Sequence, residues 1–240
     1  MSVFITFEGI DGCGKTTISK MVAEVLRANY NVAWTKEPTD QWSLITNVRN
    51  WQKRELANVE LVSEEHKKRI LAAMPAQTTP LQDTLNFLLD RSFHAAEIRQ
   101  VLEGVDVLIC DRYHDSTLAY QGDAVKELVG NSDTLELSGI FGEFPIPDLT
   151  ILLDVLPSEA DARRVKRDGP RKESKIPGYG PQDLQDAMER KSDLYAVRNR
   201  YLQLARNNKR FVTINANDRL YSVLANCLDT IGEVLNREEA

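Results

Sequence analysis

The chain has 240 residues, 42% of them hydrophobic and 28% charged, and a formal net charge of −6. Those values fit one globular domain with a sizeable core and speak against a nucleic-acid binder, which is usually basic. Three cysteines without paired spacing (Cys13, Cys110, Cys227) argue against a disulfide framework. With no basic leader and no apolar run near the roughly 20 residues of a membrane span, a cytoplasmic protein with no membrane partner is expected.

In chain order, Val3 to Phe7 (VFITF) is a short apolar strand ending at a glycine-rich turn. Ile18, Met21, Val22, Val25 and Leu26 then recur at helical spacing. Val32 to Thr35 is a second strand, stopped by Glu37-Pro38. Between 41 and 85 a charged segment carries Leu44, Val48, Trp51 and Leu56 at helix-like spacing and is broken by Pro75 and Pro80. Leu81 to Glu103 reads as a long helix. Val105 to Cys110 and Leu149 to Val155 are continuous apolar runs, as strands buried on both faces would be. Phe211 to Ile214 is a fifth strand, and a final helix carries Leu220, Leu224, Cys227, Leu228, Ile231, Val234 and Leu235 on one face. Strands alternating with helices predict an α/β three-layer sandwich. Its five-stranded parallel sheet carries helices on both faces, and ligands sit beyond the C-terminal ends of the strands. No repeat or linker divides the chain, so residues 1–240 are read as one domain.

Gly9-Ile10-Asp11-Gly12-Cys13-Gly14-Lys15-Thr16 fits the phosphate-loop pattern G-x-x-x-x-G-K-[ST]. Glycines let successive backbone N–H groups turn onto an anion, and the helix that starts there adds its positive end. In this pattern the lysine reaches the β- and γ-phosphates of ATP and the hydroxyl ligates Mg2+. The expected nucleotide-binding set is therefore Gly9, Asp11, Gly12, Cys13, Gly14, Lys15, Thr16 and Thr17. Cys13, at a helix N-terminus, has a position that could lower its pKa. Asp111 closes the third strand where a second magnesium-holding oxygen is expected, and Arg112 adds a forked donor for a phosphate acceptor at the same sheet edge.

Several stretches together resemble the thymidylate kinase family. They are Phe7 to Thr17, including the aspartate inside the loop; Thr35-Lys36-Glu37-Pro38; and Leu85-Asn86-Phe87-Leu88-Leu89-Asp90-Arg91. Further on come Asp111-Arg112-Tyr113-His114-Asp115-Ser116-Thr117-Leu118-Ala119-Tyr120-Gln121-Gly122 and Pro147 to Val155. The resemblance implies transfer of the γ-phosphoryl of ATP to dTMP with Mg2+. It implies that Asp11 meets the acceptor sugar, Phe87 stacks on its base, Arg91 reads the base edge and Arg112 holds its phosphate. Tyr120 would lie against the 2′ position and Gln121 near the base, with Glu37 and Ser116 in the same acceptor-binding set. It also implies a homodimer. Lys36 stands where the family usually has arginine, which keeps the charge and loses the fork.

Arg163 to Lys172 is a basic run leading into the Gly/Pro-rich stretch Gly169 to Pro181, so a lid is expected at about 163–181. The phosphate loop itself offers no arginine. The lid must then supply the positive charge of phosphoryl transfer, with Arg163, Arg167 and Arg171 as catalytic candidates beside Lys15 and Arg112. None of the histidines, His66, His94 and His114, has a convincing base partner in the sequence, and His94 reads as a surface or supporting residue. Three alternatives stay open. One is a kinase for another monophosphate or for a nucleoside. Another is a GTPase-like switch, against which Asn208-Lys209-Arg210-Phe211 lacks the guanine-reading aspartate. The last is a silent nucleotide-binding module.

Overall fold

The computed structural model describes residues 2–39, 80–129, 144–168 and 193–238. Most of the acceptor-side segment at 41–85, the lid beyond Asp168, Arg171 and His66 lie outside the described residues. Five strands form the frame: β1 (Val3–Glu8), β2 (Val32–Lys36), β3 (Val107–Asp111), β4 (Leu149–Asp154) and β5 (Phe211–Asn215). The described helices are α1 (Lys15–Leu26), α2 (Pro80–Leu102), α3 (His114–Val129), α4 (Pro157–Asp168), α5 (Leu194–Asn207) and α6 (Leu220–Glu238).

The sheet order is β2-β3-β1-β4-β5, with every neighbouring pair parallel. Strands β1 and β3 are buried along their whole length, which is why they read as apolar runs without alternation. Their residues still alternate between two cores. Val3, Ile5 and Phe7 join the cluster that contains Ile18 and Val22 of α1 and Leu224 and Ile231 of α6. Phe4 turns the other way, to Ile98 of α2, Leu108, Cys110 and Tyr113. Helix α2 packs on α3 and α3 on α5, while α1 packs on α6. Glu8, two pleats beyond Phe4, therefore points into the layer of α3 and α5.

Because all strands run the same way, their C-terminal residues Glu8, Lys36, Asp111, Asp154 and Asn215 collect at one sheet edge. The winding direction reverses at β1, and the crevice such folds use for ligands opens there. One expectation needs correcting and another is narrowed. Val25, placed on the apolar stripe of α1, is 47% exposed, because the buried face runs through Ile18, Ser19, Val22, Ala23 and Leu26. Of the two places open to His94, surface or supporting, the structure gives the second: it is 1% exposed, on the face of α2 turned to the sheet. Among the described residues no helix is long and apolar enough to cross a membrane.

Candidate active site

The donor end of the site is built from backbone. Gly12 has φ +82, and a Cβ there would lie 2.3 Å from the carbonyl oxygen of Ala160 in α4. The loop is thus pressed onto α4 where only glycine fits. Gly14, at φ 100, is the N-cap of α1 and offers no side-chain cap, so the first N–H groups of the helix face outward for an anion. The buried Lys15 ammonium donates to the carbonyls of Gly9 (2.8 Å) and Ile10 (3.0 Å) and lies 3.6 Å from Cys13 Sγ. Cys13 is also buried, and desolvation pushes its thiol above the usual range in spite of Lys15. The pKa-lowering effect of the helix end expected from sequence is outweighed by burial.

Thr16 Oγ1 donates to Asp111 Oδ2, joining the start of α1 to the end of β3. Asp111 Oδ1 is buried with no hydrogen-bond partner among the described residues. A hydroxyl and a carboxylate with a spare buried oxygen suit a hard cation such as Mg2+, which takes few protein oxygens and completes its shell with water and phosphate. No cluster of three or more His, Cys, Asp or Glu among the described residues could cage a metal by itself. Those two residues fit magnesium in that sparse mode.

Arg112 follows with φ 72, a left-handed backbone rare for a residue with a side chain. Its N–H donates to Phe7 O at 3.0 Å, which fixes the turn to β1. Its guanidinium lies 5.3 Å from the centre of the Tyr120 ring. The Tyr120 hydroxyl in turn accepts from the Asp11 N–H of the phosphate loop at 3.0 Å. Gln121 is buried and breaks the helical geometry of α3 (φ −113, ψ 16). Arg200 of α5 braces this kink, donating to Ala119 O at 3.1 Å and to Asp123 Oδ2 at 2.7 Å.

On the acceptor side, Arg91 is buried and donates through Nε and Nη2 to Glu37 Oε2 and through Nη1 to Thr117 Oγ1. Glu37 Oε1 lies 3.0 Å from His94 Nδ1, and His94 Nε2 lies 2.8 Å from Thr35 Oγ1. Burial alone would raise the Glu37 carboxyl, but Arg91 and His94 overcome it and hold the pKa below its ordinary value. Both Glu37 oxygens are engaged inside the protein. Asp90, next to Arg91, accepts from the Thr39 N–H (3.1 Å) and hydroxyl (2.5 Å), tying α2 to the chain after β2. Phe87 is half-buried one turn before Arg91.

Ser116, expected to meet the acceptor, donates its hydroxyl to Glu8 Oε2 at 2.7 Å. Arg163, a lid candidate, donates to Ala216 O at 2.9 Å, while Arg167 is exposed near the end of α4. Reading the sequence missed Glu8 as part of this architecture, left the partners of His94 unidentified, and missed the bidentate pair of Arg198 with Asp154 (2.6 and 2.7 Å). Each of these depends on partners far away in the chain; the only local signal was a carboxylate closing an apolar strand, Glu8 in β1 and Asp154 in β4.

Comparison with known proteins agrees with this geometry. The thymidylate kinase family model matches residues 67–226. A probable thymidylate kinase of Sulfurisphaera tokodaii is 32% identical over 222 residues, 92% of this chain and 90% of that protein. The thymidylate kinase of Mycoplasma capricolum is 32% identical over 242 residues, 99% of this chain and 98% of its own. Among solved structures, thymidylate kinase from Ehrlichia chaffeensis matches with a TM-score of 0.58 at 25% identity, covering 96% of this chain and 98% of that one. The family match begins after the phosphate loop, so the loop is an independent observation. With loop, sheet order and relatives in agreement, the chain belongs to the thymidylate kinase family.

Proposed function

We propose that the chain transfers the γ-phosphoryl group of ATP to dTMP, giving ADP and dTDP, with Mg2+. The observation that carries this is the fastening of acceptor clamp to donor loop. Arg112 lies over Tyr120, and Tyr120 grips the phosphate loop at Asp11. A phosphate held by Arg112 then sits at a fixed offset from one held by the loop, which is what in-line transfer requires.

Lys15 and the first N–H groups of α1 hold the β- and γ-phosphates. Thr16 and Asp111 would hold Mg2+, which when bound would supply positive charge to neutralise the phosphates. Phe87 stacks on the thymine ring, and Arg91 reads its edge with a guanidinium that Glu37 and Thr117 keep in one orientation. Glu37 thus serves the acceptor through Arg91. Asp11 meets the sugar, Tyr120 crowds the 2′ position, and Gln121 lies beside the base. Ser116 supports this wall from below through Glu8. Arg163 (which also donates to Ala216 O), Arg167 and Arg171 are the arginines that bring charge to the transferring group. The protein works as a cytoplasmic homodimer. Leu85, Leu89 and Phe93, exposed at four-residue spacing on α2, favour that assembly.

The test is ADP release with Mg-ATP against dTMP, dUMP, dGMP, dCMP, dAMP, UMP and thymidine. Selective turnover of dTMP is expected. Turnover of another monophosphate would move the error to the acceptor pocket, and no turnover with any acceptor would overturn the kinase reading.

A further inference from the structure

Glu8 is a carboxylate where the fold gives it no solvent. It is 0% exposed, at the end of β1 directly before the phosphate loop. Its two oxygens take three donors from three places. The Tyr113 N–H, in the turn after β3, donates to Oε1 at 2.8 Å. The Ser116 hydroxyl, in the first turn of α3, donates to Oε2 at 2.7 Å. The Tyr201 hydroxyl, from α5, donates to Oε2 at 2.9 Å. Tyr201 also meets Tyr120 edge-on, with ring centres 6.3 Å apart. Arg112, in its left-handed turn, directly precedes the Tyr113 N–H that Glu8 holds, and Tyr120 lies one turn beyond Ser116 on the same helix. Nothing in the phosphate chemistry requires an acid at this place. An apolar residue would fill the same layer without the cost of burying a carboxyl.

We propose that Glu8 is a positioning residue for phosphoryl transfer. Its buried carboxylate ties the Arg112–Tyr113 turn, helix α3 and helix α5 to the strand that feeds the phosphate loop. Arg112 and Tyr120 thereby keep one fixed offset from the loop. Glu8 acts through these groups and touches no substrate. The inference rests on the transfer to dTMP proposed above and assigns a further residue to it.

The surroundings give the idea a signature. Burial, followed by the nearby Asp115 carboxylate, raises the Glu8 pKa from the ordinary range to about 7, against the Ser116, Tyr113 and Arg112 contributions that lower it. The charged and titratable groups around it are Asp115 of α3, Arg112 and Cys110 at the end of β3, Tyr201 of α5 and Arg91 of α2. The ionised form accepts all three donors best, so the alignment tightens as pH rises through the neutral range.

The experiment compares full-length wild type with Glu8→Gln and Tyr201→Phe. Steady-state kinetics with dTMP and with Mg-ATP are run from pH 5.5 to 9, with thermal unfolding as a control. For Glu8→Gln we expect a folded protein, KM for ATP within about twofold of wild type, and kcat/KM for dTMP lowered about tenfold or more. The wild-type rise of kcat/KM through about pH 7 should flatten to the part set by the phosphate of dTMP itself, whose second ionisation lies near 6. Tyr201→Phe, which removes one of the donors, should lose less in the same parameter and keep the pH break. Equal kcat/KM and an unchanged pH profile in Glu8→Gln would overturn the inference, as would a loss shared equally by ATP and dTMP. If Glu8→Gln fails to fold, Tyr201→Phe decides: an unchanged kcat/KM for dTMP overturns it. A wild type that does not phosphorylate dTMP overturns the function and this inference with it. A wild type that does so beside an indifferent Glu8→Gln overturns this inference alone.

Discussion

The donor and acceptor halves of the site are made of different material. At the donor loop the work falls to main chain: positive-φ glycines, an uncapped helix start and a lysine bonded to loop carbonyls. At the acceptor side it falls to side chains, the buried Glu37, Arg91, His94 and Thr117 with the half-buried Thr35, each satisfied by another. The first design binds any polyphosphate, since an N–H cradle reads charge and little else. The second fixes a planar guanidinium in one pose, as reading the edge of one base requires.

The contrast can be broken at either end. Lys15→Ala should leave the fold intact while turnover falls roughly 1,000-fold or more, because a phosphate cradle without its cation loses transition-state charge stabilisation. Near-normal turnover of ATP and dTMP in that variant would sink the assignment of the loop. Glu37→Gln should act the opposite way, on stability first. It leaves Arg91 buried (3% side-chain exposure) without its counter-charge. Breaking such a pair costs about 3–5 kcal/mol. Chemical denaturation measures this, and a change under about 1 kcal/mol would mean that the pair is not the buried lock described here.

A third, smaller effect sharpens the comparison through pH. Glu8 has a folded pKa of about 7 against 4.5 for the free group. Between these values the native state holds a proton that the unfolded chain has released, so stability falls as pH rises through this window. The difference is worth about 3 kcal/mol at most. Glu37, Asp115 and His114, all shifted down, contribute with the opposite sign and lose stability as pH falls. Unfolding free energies of wild type and Glu8→Gln, measured from pH 5 to 8, isolate the Glu8 part. The variant should decline less across that range, and parallel curves would contradict the shift.

These differences also explain what could be read from the sequence. The strands were legible because β1, β3 and β4 are apolar runs and β2 and β5 are short segments rich in β-branched and aromatic residues, and the phosphate loop was legible because its backbone geometry demands glycines at 9, 12 and 14. The kinked α3, the charged α4 and α5 carry no clean apolar stripe. In α5 only Val197 and Tyr201 are buried, and the polar wall of α3 (Ser116, Thr117, Gln121) hides its periodicity. The acceptor lock was illegible for a different reason. Glu37 and Arg91 are 54 positions apart, and Glu8 and Tyr201 are 193 apart. No local pattern encodes such a pair, and His94, read as a surface or supporting residue, takes its place only once β2 and α2 come together.

The burial of Cys13 in the loop has a practical consequence. Its thiol is held protonated by desolvation and shielded at 2% exposure. An alkylating reagent can reach it only during excursions in which the loop leaves α4. The rate of Cys13 labelling therefore times those excursions, and its slowing by added ATP gauges how firmly the nucleotide latches the loop, with no catalytic turnover needed to read it.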